Sequence, residues 1–350
     1  GISFYTFQAI SYTVDVYKER FPKTTGLLEY SFYLTFFPLL IAGPITRANI
    51  LIPQIDAPQP NNKQLINTGL WLIICGLLKK ALVADYLAQY NNWIFADPLA
   101  YTGFENLMGV LGFTLQIYCD FSGYSDMAIG IAALMGFQLP NNFNSPYQSL
   151  NLTEFWHRWH ITLSQWFRDY VYIPLGGNRK GELKTYRNTF ITMIVAGLWH
   201  GASGMFVLWG ILHGIGLAVH KFARNRGLNK VPDTIYVKIF CWTITFAYVS
   251  VAWIFFRSYD VHTAFSIIGK IFTDLHFVDF QNFINARLLW IMLLTVSLEL
   301  HSIRQNDYKW LRQKSISLPW LAKLAIFLFV LQLVINLSQN NIQPFIYTRF

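Results

Sequence analysis

Residues 189–220 run for 32 positions without Asp, Glu, Lys or Arg, and WHGASG (199–204) interrupts them. One straight helix of that length would reach about 48 Å, against a bilayer hydrocarbon core of about 30 Å. The flanks sharpen the constraint. GGNRKGELKTYR (176–187) sets Arg179, Lys180, Lys184 and Arg187 against Glu182, and KFARNRGLNK (221–230) holds Lys221, Arg224, Arg226 and Lys230 with no acid. Basic loops favour the cytoplasmic side of a membrane, so both ends of the segment belong on one side and the chain turns back at WHGASG. The spacing therefore predicts a bent or re-entrant pair of half-helices, with His200 at membrane depth beside a cavity. Irregular backbone survives in a bilayer only where protein or a water-filled cavity surrounds it. A long tilted helix with one basic loop outside is the competing arrangement.

Composition agrees with a membrane setting. The 350 residues are 54% hydrophobic and 13% charged, about half the charged share of soluble domains. The net charge of +9 sits in short loops between apolar runs, which points to membrane topology and away from nucleic acid. Residues 30–46 and 240–256 are each uncharged for 17 positions, and 65–78, 288–298 and 320–335 are shorter apolar pieces suited to tilted or covered helices. Lipid offers a bare amide no partner, so every span is expected to be helical, and the fold class is all-α and polytopic. The apolar stretch 104–139 is cut by CDFSGYSD (119–126), whose Asp120 and Asp126 are expected to cap a helix break. Cys75, Cys119 and Cys241 lie far apart in apolar segments without metal or disulfide spacing. The chain opens at Gly1, with no Met and no signal-peptide pattern, as a piece lacking its upstream part would.

Residues 154–173 have another character. On a helical wheel Phe155, Trp159, Leu163, Trp166 and Tyr170 share one face, while Glu154, Arg158, Ile161, Gln165, Arg168 and Asp169 lie mostly opposite. The expectation is an amphipathic helix lying along the membrane interface. His160 falls at the edge of the aromatic face and His157 toward the polar side. Zinc pairs on helices use i, i+4 spacing within HExxH plus a third ligand. The i, i+3 spacing here, with no Glu between, argues for no metal. GASGM (201–205) is not a serine-hydrolase elbow, and LGGNRKG (175–181) is not a phosphate loop. What remains are ionisable groups where they are expensive, namely His200, Asp120 and Asp126. For His200 the plain alternative is a hydrogen bond to a neighbouring helix. His213 and His220 are expected at the interface.

The succession YCDFSGYSDMAIG (118–130), LPNNFNSPYQSLNLTEFWHRWHITLSQWFRDYVYIPLGGNRKG (139–181) and GLWHGASGMFVLWGILHG (197–214) resembles the membrane-bound O-acyltransferase family. Within it the resemblance is to the branch of alginate O-acetyltransferases and related polysaccharide acetylases. It runs from GISFYTFQAISYTVDVY (1–17) to PFIYTRF (344–350). It implies a single domain over 1–350 with a catalytic core at 104–220, further helices upstream, and a funnel joining a cytoplasmic donor to an acceptor across the membrane. It implies that His200 is the catalytic histidine and that His160 is the second polar position, with His157 at a variable one. Arg158, Trp199, Asn178, Arg179, Asp120 and Asp126 are the accompanying substrate or donor candidates.

The implied donor is acetyl-CoA or another acyl thioester, used as substrate, with no bound cofactor. A histidine titrating near neutrality suits general-base work on a hydroxyl. His200 is expected to take that proton, while His160 orients the donor or stabilises developing charge. Arg179 and Lys180 are placed to attract donor phosphates. The implied partners are membrane lipids, the donor, and a polysaccharide acceptor reached directly or through an extracytoplasmic acetyltransferase. The implied location is the bacterial inner membrane, crossed several times. Transfer of D-alanine to teichoic acid is the neighbouring alternative. A transporter or a non-catalytic envelope scaffold is the reading from another class.

Overall fold

The structure, a computed structural model, describes residues 2–21, 26–57, 62–228, 234–303 and 305–337. Lys230 and PFIYTRF lie outside the described residues. Within them every regular element is helical. Gly204–Asn225 and Ile235–Arg257 are long and apolar enough to cross a membrane. Two sharply bent pairs, Asp279–Ala286 with Leu288–Ser302 at 93° and Asn306–Ile316 with Trp320–Asn336 at 111°, bring the number to four if each pair is one span.

The longest helix, Gly103–Leu134, starts on a capping box: Thr102 Oγ1 accepts the Glu105 N–H at 3.3 Å, and the Glu105 carboxylate accepts the Thr102 N–H at 3.0 Å. It then runs unbroken through CDFSGYSD, which corrects the expected interruption. Asp120 and Asp126 cap nothing. They pair with Lys80 at 2.6 Å and Lys79 at 2.7 Å. Those lysines come from a π-helical turn, Leu78–Ala84, that continues the helix Lys63–Leu77. Charge partners from a second helix remove the need for a break. The two helices cross at glycines: a Cβ on Gly76 would lie 2.5 Å from the Gly123 carbonyl oxygen, and one on Gly69 would lie 2.7 Å from that of Gly130. Close backbone approach of this kind is a membrane-helix packing device.

Residues 30–46 do not form a span. The helix Leu27–Thr35 ends before Phe36, and a single 3-10 turn, Phe37–Leu39, follows. Pro38 and Pro44 each remove a donor that a continuing helix needs.

The segment 189–220 folds as expected at its centre. Helix Glu182–His200 is followed after three residues by helix Gly204–Asn225. Gly197 packs against the Phe206 carbonyl, Gly210 against that of Met193, and Gly214 against the Phe190 ring, so the arms run antiparallel. At the far end Asn225 Nδ2 donates to Glu182 Oε1 at 2.8 Å, which brings the two basic flanks together. The arms have 19 and 22 residues, about 28 and 33 Å, and so exceed half-helices.

The stretch 154–173 is not one interfacial helix. It breaks into Leu152–Arg158, an extended Trp159, a left-handed His160 at φ 41°, helix Ile161–Phe167 and a π-helical turn Arg168–Tyr172. The loop after the long helix inserts at the break, where Ile161 N donates to Asn142 O and Asn144 N donates to Arg158 O, each at 2.9 Å. Phe155, Trp159, Leu163 and Trp166 are buried in protein instead of facing lipid.

Candidate active site

His200 is the last residue of its helix, and it lines a cavity of about 270 Å³ that follows the hairpin. Along the returning arm the lining runs from Trp209 to Lys221 and Arg224. The twelve helical steps from Trp209 to Lys221 cover about 18 Å at 1.5 Å per residue. Arg168 joins Lys221 and Arg224 in the wall, so the basic end of the hairpin is also the cationic end of the cavity. The Arg168 side chain is largely exposed and bonds Asp169 at 2.7 Å.

The His200 ring is buried among Trp209, Phe256 and Trp199, with centroids 5.0, 5.0 and 4.9 Å away. His160 is fully buried, 6.3 Å from the Trp199 indole and 4.6 Å from Phe121. Its Nδ1 meets Asn142 Oδ1 at 3.1 Å. The two histidines therefore share one tryptophan as neighbour and lie within electrostatic reach of each other. Only His200 lines the cavity.

The other residues singled out by sequence fall elsewhere. Asn178, Arg179 and Lys180 are exposed on a turn beside the basic end and do not line the cavity. Asp120 and Asp126 belong to the lysine pairs described above. Arg158 bonds Glu154 at 2.8 Å and the Asn144 carbonyl at 3.2 Å, so it ties the inserted loop to its helix. His157 is exposed while His160 is buried, and so the pair shares no site.

His213 corrects the expectation of an interfacial residue. It is wholly buried, its Nδ1 accepts the Trp156 indole N–H at 3.2 Å, and its ring lies 4.8 Å from Trp209. The arm continues to Asn225, which leaves His213 in mid-helix on the packed face. His220, half-buried, lies 2.8 Å from Thr153 Oγ1. In the sequence Lys221 and Arg224 bear only on topology. Their spacing near one helical turn, on the arm that follows WHG, was the available signal for a cavity wall.

An all-helical membrane chain with two buried histidines about a tryptophan, one of them at the inner end of a cation-mouthed cavity, defines a membrane-embedded group-transfer protein. The chain belongs to the membrane-bound O-acyltransferase family, whose model matches residues 5–258. It is 38% identical to a Pseudomonas putida protein named "Probable alginate O-acetylase AlgI", over all of this chain and 74% of that one. It is 39% identical to the peptidoglycan O-acetyltransferase of Helicobacter pylori, over 77% of this chain and 55% of that one. A teichoic acid D-alanyltransferase of Bacillus subtilis is 26% identical over 75% of this chain and 69% of its own length. The chain thus spans between about half and three-quarters of the length of these curated relatives.

Proposed function

We propose that this chain forms the core of an enzyme that moves an acetyl group from a cytoplasmic acyl thioester, such as acetyl-CoA, toward hydroxyls of an extracytoplasmic polysaccharide. The observation that carries the reading is the cavity running from Arg168, Lys221 and Arg224 to His200. A thioester on a phosphate-bearing arm has that distribution of chemistry, with anionic charge at one end, a slender polar chain, and a reactive carbonyl at the other. Cations at the mouth attract the phosphates, and an extended arm along the hairpin sets the carbonyl near His200. This moves the donor phosphates from Arg179 and Lys180 to the wall of the cavity itself.

His200 then acts as general base. It takes the acceptor hydroxyl proton as the oxygen attacks the thioester carbonyl carbon. The C–S bond breaks, and the departing thiolate takes up the proton that His200 holds, which restores the neutral imidazole. The printed names of two relatives, acting on alginate and on peptidoglycan, favour acetyl transfer to a polysaccharide. D-alanyl transfer is the second reading, carried by the more distant teichoic acid relative. An extracytoplasmic acetyltransferase is the partner that would complete delivery.

The test is transfer from labelled acetyl-CoA by the full-length protein in proteoliposomes with its envelope partner. His200→Ala should lose about 10²–10⁴-fold in kcat, the usual share of a general base, while His157→Ala keeps transfer and both variants stay folded. Lys221→Ala with Arg224→Ala should raise the KM for the donor and largely spare kcat. Full activity in His200→Ala would remove the catalytic assignment.

A further inference from the structure

We infer that Asn142 fixes His160 in the tautomer with its hydrogen on Nδ1, so that His160 offers Nε2 as an acceptor to a hydroxyl of the acceptor substrate. This rests on the acyl-transfer reading above. It replaces the two roles expected of His160, orienting the donor or stabilising developing charge, with a contact to the acceptor.

The two ends of the Asn142 amide can be told apart. Asn142 is buried in the loop after the long helix, and one end of its amide lies 3.3 Å from the Thr162 backbone N–H. A backbone amide can only donate, so the atom facing it is Oδ1. The Thr162 hydroxyl agrees: it accepts the Ile45 N–H at 2.9 Å and has its own hydrogen left to give to Asn142 Oδ1, also at 2.9 Å. Asn142 Nδ2 in turn donates to Ser125 Oγ at 3.3 Å. The same Oδ1 lies 3.1 Å from His160 Nδ1. Two acceptors cannot share a hydrogen bond, so Nδ1 carries the hydrogen and the neutral ring keeps its lone pair on Nε2.

The backbone supports this orientation. His160 is a non-glycine residue at φ 41°, a conformation that the surroundings must hold. The Ile161 N–H to Asn142 O and Asn144 N–H to Arg158 O bonds hold it from both sides. Nε2 is buried and has no hydrogen-bond partner among the described residues.

A developing oxyanion needs a donated hydrogen, and the single N–H of neutral His160 is committed to Asn142. Nε2 can instead accept an O–H. His160 does not line the donor cavity, while its ring and that of His200 both meet the Trp199 indole. The group it meets therefore comes from the acceptor side, as a hydroxyl neighbouring the one that His200 deprotonates. Asn142 is a positioning residue, acting through His160.

The experiment uses full-length protein labelled with ¹⁵N-histidine in lipid bilayers, with the His160 signals assigned by their loss in His160→Gln. Wild type should show a proton-bearing Nδ1 and a pyridine-type Nε2, and Asn142→Leu should shift His160 toward the other tautomer. In the transfer assay Asn142→Leu should raise the acceptor KM about tenfold, the loss of roughly one hydrogen bond, with the donor KM little changed. Asn142→Asp, which keeps an oxygen toward Nδ1 and Thr162, should recover most of that loss. A hydrogen on Nε2 in wild type would overturn the inference, as would a rise in donor KM alone. Failure of acetyl transfer in the wild type, with the tautomer as expected, would count against the acyl-transfer reading and leave the Asn142–His160 geometry standing.

Discussion

Lys80 sits between Asp85 and Asp120, 2.6 Å from each, and Asp120 is only 2% exposed. The neighbouring carboxylate of Asp126 is held by Lys79, and both pairs are packed where the two glycine-lined helices touch. Removing the ammonium takes from a buried carboxylate the cation 2.6 Å away, a loss of about 3–5 kcal/mol. Lys80→Met should therefore lower the unfolding midpoint in detergent sharply. Lys80→Met combined with Asp120→Leu should recover much of it, since apolar replacements of both partners are often near neutral. A double variant as unstable as the single one would show that the ion pair is not what Lys80 contributes. Asp120 was visible in the sequence as an expensive residue, because its cost depends only on its own charge and its apolar neighbours. Its meaning was not visible, because Lys80 lies forty positions earlier and ion pairs across helices leave no local pattern. His213 was misplaced for a related reason: distance from the end of an apolar segment says little about which face of a helix packs inward.

The helical hairpin and the broken EFWHRWH stretch differ in how far their elements could be foreseen. The turn at WHGASG follows from two long-range requirements, a length that exceeds the bilayer and basic residues at both ends, and neither depends on tertiary contacts. The break at Trp159–His160 does depend on them. A helical wheel treats the chain as continuous, whereas the left-handed His160 is held by Asn142 and Asn144 from a loop that the wheel cannot include. The hairpin makes its own prediction. A Cβ on Gly197 would fall inside van der Waals distance of the Phe206 carbonyl, a backbone atom that cannot move aside cheaply, whereas nothing lies within 4 Å of a Cβ on Gly204. Gly197→Val should separate the arms, destabilise the protein by about 1–3 kcal/mol, and slow transfer by distorting the cavity between them. Gly204→Ala should be neutral or stabilise by up to about 1 kcal/mol. Thermal unfolding and transfer rates of the two variants check this, and equal effects would mean that the close crossing does not hold the cavity.

At the scale of the whole molecule, two properties coincide, only the first of which is legible in the sequence. The basic flanks from which topology is read in the sequence and the cations that line the cavity share one end of the hairpin, because Glu182 and Asn225 bring the two arms together there. Under the function proposed above, with an anionic cytoplasmic donor, the charge that would keep the loops on one side would also draw the donor to that side. The consequence can be measured in sealed vesicles. Single cysteines at Lys184 and Arg226, in a background lacking Cys75, Cys119 and Cys241, should react with a membrane-impermeant maleimide from the same side. Acetyl-CoA supplied on that side should support transfer, and acetyl-CoA supplied only on the other should not. Labelling from opposite sides would dismantle the hairpin topology. Same-side labelling with donor accepted only from the far side would keep the hairpin but place the donor mouth at its other end, away from Arg168, Lys221 and Arg224.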